Sequence, residues 1–231
     1  MSIEDVYIEY KIMPNLRVHQ YRVAAVGRTI AEKFDTPIIE IENITIACLL
    51  HDMGNIIKFR LDLFPEFLVP EGLDYWKSVQ NEYFEKYGQD EHVATNKISE
   101  EILSRQSLVV GPQSSDVRKN DKNRVLELID AISFSEAVTN SKCDDFNRKI
   151  VAYSDTRVDP HGVTSQVSRL QDGKKRFRIN KKASTDEYFE SMAAGLKEIE
   201  KEIFDEVDIE PQDITDEYVK ETVKKLHNYT I

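Results

Sequence analysis

Four residues of this 231-residue chain have the types and placements to hold a metal ion: His19, His51, Asp52 and Asp155. A metal that activates water needs a few fixed nitrogen and oxygen ligands, with some coordination positions left open. Two imidazoles and two carboxylates make a mixed site that suits Mn, Fe, Co, Ni, Mg or Zn, so the set does not choose its divalent ion. His51 and Asp52 close the apolar stretch Asn43–Asn55, NITIACLLHDMGN. A carboxylate there needs a partner, because an unpaired buried charge is costly. Asp130 is the rival to Asp155, but it points away from the apolar stripe Val125, Leu128, Ile129, Ile132 of its own helix. Arg22, one turn beyond His19, and Lys58, just after the His-Asp pair, are candidates to hold a phosphate, as is Arg157. His92 is either a substrate or outer-shell contact or a plain helix-start residue, and Asp90 and Glu91 are candidates for proton transfer.

The elements that must position these groups read as helices. Leu16, His19, Val23, Val26, Ile30 and Phe34 recur at spacings of three and four after Pro14, so His19 belongs to a core-facing stripe. In the stretch 43–51, Ile44, Ala47, Cys48 and His51 share one face, and Ile46, Leu49 and Leu50 cover the others. That helix is apolar nearly all round and is expected at the centre, with Gly54 as a left-handed stop. Residues 3–12 read as a short amphipathic helix, Ile56–Phe59 as the start of another, and residues 60–72 as an irregular apolar lid or substrate wall. Leu73–Tyr87 is helical and aromatic, more core than stacking platform, and Gly88 ends it. Asp90 caps a helix running to about Ser104. Residues 105–122 are the most loop-like stretch. Asn123–Val138 and Phe146–Tyr153 follow as helices, and Asp159–Gly162 as a turn. Gln166–Phe177 carries basic residues; the run 174–182 reads as a solvated face. Ser184 and Glu187 form a capping box for a helix to about Val207, and Pro211 opens the last helix, ending near His227. His161 and His227, in a turn and a tail, carry no functional expectation.

Composition narrows the classes. Only 8 Gly and 7 Pro, with 40% hydrophobic and 32% charged residues, fit a mostly helical globular chain. A net charge of −11 disfavours sequence-independent nucleic-acid binding, while leaving room for a small phosphorylated substrate held by a metal and a few cations. Two cysteines make no disulfide framework, and Cys48 lies in the expected core helix, so a reducing, cytosolic setting is expected. No apolar run approaches membrane-spanning length.

The patterns L-x-V-H19-Q-x-x-R22-V-A, A47-x-L-L-H51-D52-M-G54-N, E91-H92 and K149-I-V-A-Y-S-D155 resemble the HD superfamily of metal-dependent phosphohydrolases over residues 14–160. The resemblance implies an all-α fold: an HD-domain-like bundle of about five core helices around one metal site, with a C-terminal helical extension. The catalytic domain would span 1–180, with 181–231 packed on it as the extension. The implied ligands are His19, His51, Asp52 and Asp155, and the implied reaction is hydrolysis of a phosphate ester, often in a nucleotide. Asn55 stands where the common His-Asp-x-Gly-Lys form has lysine, so Lys58 is expected to take over phosphate contact. Ile132 stands roughly where members with two metals carry a further histidine, which speaks against a full binuclear site. Asp52, Arg22, Lys58 and His92 are the expected catalytic residues, on a phosphomonoester such as a nucleoside monophosphate. Two other readings stay open: a module that binds metal and nucleotide without turnover, and a phosphodiesterase. The C-terminal helices could form a homodimer surface or cover the site.

Overall fold

Residues 1–106, 115–179 and 186–231 are described by a computed structural model of the chain. Among them are eleven α-helices: α1 Ile3–Glu9, α2 Pro14–Ala31, α3 Ile41–Leu50, α4 Leu73–Tyr87, α5 Glu91–Gln106, α6 Ser115–Ala131, α7 Ala137–Ser141, α8 Phe146–Asp155, α9 Gln166–Ile179, α10 Asp186–Asp205 and α11 Asp216–Leu226. One antiparallel hairpin, β1 Val158–Asp159 with β2 Gly162–Val163, follows α8 directly. The fold is all-α apart from this hairpin.

The expected central helix is central. Ile44, Ala47, Cys48, Leu49 and Leu50 of α3 are fully buried, and α3 packs against α2, α6 and α8. Gly27 sets how closely α2 approaches: a Cβ there would lie 3.0 Å from Ser154 Oγ, 3.2 Å from Cys48 Sγ and 3.3 Å from Ile44 Cγ2. A hydrogen in place of a methyl group therefore brings together the helices carrying His19, His51 and Asp155. The C-terminal helices join the same apolar core. Helix α10 lies on α7 and α8, with Gly195 close to the Ala137 backbone, and α11 lies along α2.

Several sequence expectations need correcting. Gly54 is not a left-handed stop: its φ and ψ are −92° and −2°, open to any residue. Its smallness matters instead, since a Cβ would meet Glu91 O at 2.5 Å and Thr95 N at 2.7 Å. The stretch after it, Asn55–Lys58, is a single 3-10 turn. Residues 115–122, expected as loop, belong to α6, while 107–114 lie outside the described residues. Helix α6 stops at Ala131 rather than near Val138, and the buried Asn140 side chain donates to the Ala131 carbonyl, 2.7 Å, in place of a further turn. The turn at 159–162 is the tip of the hairpin, where Asp159 Oδ1 accepts from the His161 and Gly162 amides. Pro211 opens a 3-10 turn; the last helix starts later, behind the cap Thr215, whose hydroxyl accepts from Tyr218 N. Ser184 and the end of the basic run 174–182 lie outside the described residues. Trp76, Tyr83 and Tyr87 are buried, as core aromatics should be.

Candidate metal centre

Three helix positions build the site. His19 lies on α2, His51 is the C-cap residue of α3 with Asp52 next, and Asp155 is the last residue of α8. Ligand atoms of His19, His51 and Asp155 all lie within 4.8 Å of one another. His19 Nε2 is 3.1 Å from Asp155 Oδ1 and 3.6 Å from Asp52 Oδ2. His51 Nε2 is 3.6 Å from Asp155 Oδ1 and 3.7 Å from Asp52 Oδ2. Residues 136 positions apart thus converge on one point.

The His51 ring tests whether a cation fits. Its Nδ1 is 2.7 Å from the Cys48 carbonyl, an acceptor, so Nδ1 carries the proton and donates. Nε2 then presents its lone pair toward the two carboxylates, and it is buried without a hydrogen-bond partner. A buried acceptor facing two acceptors is unfavourable alone and well suited to a divalent cation. The donors, two imidazole nitrogens and two carboxylates, fit a hydrolytic metal. In the absence of a cation the ring answers with a proton. Burial opposes its charging, but Asp52 and Asp155 prevail, and its pKa is raised to about 9. Asp155 behaves as the counterpart: burial disfavours its charge, yet the hydrogen bond from His19 and the charges of His19 and His51 hold it well below the usual carboxylate range.

Behind the ligands, Gln20 is fully buried and its Oε1 accepts from the Asp52 amide at 3.4 Å. Thr95 Oγ1 accepts from Gly54 N at 2.9 Å, tying the turn after Asp52 to α5. Beside the ligands opens a cavity of about 490 Å³, within the size range of small-molecule sites. His51, Asp52 and Asp155 line it, and so do Lys58, Glu91 and His92. Asn96 and Asp130 line it together with Phe134 and Tyr188.

The remaining expected residues fall in different places. Lys58 lines the cavity, its Nζ 3.7 Å from Glu91 Oε1. His92 lines it too, well exposed, with Nε2 4.0 Å from Glu91 Oε1. Arg22 is paired with Asp216 of α11, 3.3 Å, and is not among the described residues lining the cavity. Arg157 is buried and donates to the Thr164 and Ile214 carbonyls and to the Tyr153 hydroxyl, so it braces the chain after Asp155 and reaches no phosphate. Asp90 caps α5, accepting from Val93 N at 2.8 Å. None of residues 60–72 lines this cavity, so the expected wall is absent from it.

Sequence reasoning passed over Asn96, Phe134 and Tyr188. Asn96 was within reach, one turn after His92 on the same helix face. Nothing local marks Tyr188, which comes from α10, far along the chain.

A family model, HD domain, matches residues 17–155. The chain belongs to the HD-domain family. The match begins just before His19 and ends on Asp155, so it encloses all four converging residues. The HD-domain core accounts for α2 to α8, and α9 to α11 lie beyond it. No curated protein and no solved structure matches the chain significantly. Members of this family are generally metal-dependent hydrolases, and the His/Asp group here can hold a metal. Among the described residues, no helix is long and apolar enough to cross a membrane.

Proposed function

We propose that this protein is a metal-dependent phosphohydrolase that cleaves a phosphomonoester, with a nucleoside monophosphate as the first substrate to test. The observation that carries the reading is the buried, unpartnered Nε2 of His51, turned toward two carboxylates beside a cavity large enough for such a molecule.

His19, His51, Asp52 and Asp155 would hold one divalent cation, which supplies Lewis acidity and positive charge at the phosphoryl group. Within the cavity Lys58 offsets negative charge on the phosphoryl oxygens. Asp52 would also orient the attacking water. Glu91 and His92, both lining the cavity, are the candidates to deliver a proton to the leaving oxygen. Arg22, held by Asp216, takes no part in this scheme.

The test is metal analysis of the purified protein, followed by turnover of phosphomonoesters with several divalent metals. The reading expects bound or readily reconstituted metal and release of inorganic phosphate, with both lost in His51→Ala and Asp52→Ala. Hydrolysis that survives both substitutions would overturn it.

A further inference from the structure

Asp155 occupies a weak place for a ligand. It is the last residue of α8, where the helix runs out of internal partners for its carbonyls and tends to fray. A working site needs its ligands held to within about 0.5 Å, so this helix end must be fixed by something else. His51 and Asp52 are supported from inside the family core, where Gln20 of α2 accepts from the Asp52 amide and Thr95 of α5 from the Gly54 amide. The family match stops on Asp155, and contacts from beyond that point flank this ligand.

Tyr153, fully buried, donates its hydroxyl to Glu200 Oε2 of α10 at 2.8 Å. Arg157, 3% exposed, donates to the same hydroxyl and, at 3.0 Å, to the Ile214 carbonyl just before α11. The Tyr153 hydroxyl therefore joins a charged donor to a carboxylate acceptor, and both bonds are charge-assisted. Such a chain, away from water, holds its members more firmly than separate bonds would. Between these two residues Thr156 donates to the Tyr153 carbonyl at 2.7 Å and so closes the helix end. The buried Gln166 side chain donates to Thr156 Oγ1 at 3.3 Å and to the Leu196 carbonyl of α10 at 3.1 Å. Tyr153 and Arg157 lie two residues before and two after Asp155. Side chains two apart on a helix do not share a face, so Tyr153 grips α8 from a side other than the one that presents the carboxylate.

We propose that Tyr153 is a positioning residue for Asp155: through it and Arg157, the C-terminal helices hold the end of α8 where the carboxylate meets His19 and His51. Metal affinity is then set in part by α10, a helix outside the ligand set. This rests on the metal site of the reading above and is independent of its substrate.

The experiment titrates the purified full-length chain with Co2+, by calorimetry and by the visible spectrum of the bound ion, which follows ligand number and geometry. Tyr153→Phe keeps the ring and removes the shared hydroxyl. It should bind Co2+ about 10- to 100-fold more weakly than the parent, the range for losing a partner behind a ligand, with an altered spectrum at saturation. Glu200→Ala, on α10, should weaken binding in the same direction by a smaller factor, and it decides the matter alone if Tyr153→Phe fails to fold. Leu103→Ala is the control: it opens the buried core on α5 and should lower the melting temperature while keeping parental affinity and spectrum. In an Asp155→Asn background Tyr153→Phe should cause no further loss, because it acts through that carboxylate. Parental affinity in both Tyr153→Phe and Glu200→Ala overturns the inference. So does an equal loss in Leu103→Ala, or an undiminished further loss in the Asp155→Asn background. Each of these leaves the phosphohydrolase reading standing. A parent chain that binds no divalent metal overturns that reading and this inference with it.

Discussion

At the scale of single residues, the site depends on which atoms have partners. His51 is committed at Nδ1 to a backbone carbonyl and open at Nε2, so its replacement should remove a preoriented ligand. His51→Ala should lower metal affinity by more than the roughly 10- to 100-fold typical of losing an outer partner, checked by metal titration of the purified variant. Gln20 acts one layer behind. Gln20→Leu frees the Asp52 amide and should weaken metal binding within that 10- to 100-fold range, with the fold retained by circular dichroism. A second residue-scale case lies away from the metal. Burial disfavours charge on Asp145, but the hydrogen bond and charge of Arg124 and two bonds from Asn147 outweigh it and hold its pKa below the usual value. A depressed carboxylate contributes stability above its unfolded pKa and loses it as pH falls through the folded one. Urea unfolding between about pH 6 and about pH 3 should show Asp145→Asn losing less stability on acidification than the parent chain.

At the scale of elements, two glycines without left-handed backbone do most of the positioning. Gly27 lets α2 cross α3 and α8 closely, with contacts of 3.0 to 3.3 Å awaiting a Cβ. Gly54 is tighter, with Glu91 O, Thr95 N and Ala94 Cβ all within 2.8 Å of the place a Cβ would occupy. Gly27→Ala gains about 1 kcal/mol of helix propensity, which offsets part of its crowding. Gly54→Ala gains nothing comparable and presses on backbone, so it should cost about 1–3 kcal/mol or more. Denaturant unfolding should therefore rank Gly54→Ala below Gly27→Ala in stability, and equal losses would contradict this packing account. The hairpin after Asp155 has its own brace. Arg157 joins α8, the hairpin exit and the turn before α11 through three donated bonds.

At the scale of the whole molecule, the candidate metal centre is a junction of distant chain segments. A ligand that binds the folded state alone stabilises it by mass action, about 2.7 kcal/mol at a hundredfold excess over Kd. For a chain of this size each kcal/mol moves the melting temperature by about 2–4 °C. Chelation should lower the melting temperature accordingly, and a chosen divalent metal should restore it. Failure of every divalent metal to shift melting would leave the convergence of His19, His51 and Asp155 without its expected occupant. The C-terminal helices take part at this scale as well: α10 brings Tyr188 to the cavity and α11 brings Asp216 to Arg22.

Much of this was legible in the sequence. The 3- and 4-residue spacing of apolar side chains marks helices because burial requires one continuous face, and that placed His19 on the core side of α2. The His-Asp pair at the end of an all-apolar helix marked a charge in need of a partner. Those are local properties, and the chain alone determined them. Contacts between helices are not local. That Arg22 meets Asp216, that Arg157 is sealed inside, that Asp130 and Asn96 share a cavity with Tyr188, and that Gly54 is small for its neighbour's sake were decided only by tertiary structure. Each depends on the distance between segments far apart in the chain, which no spacing along the sequence encodes.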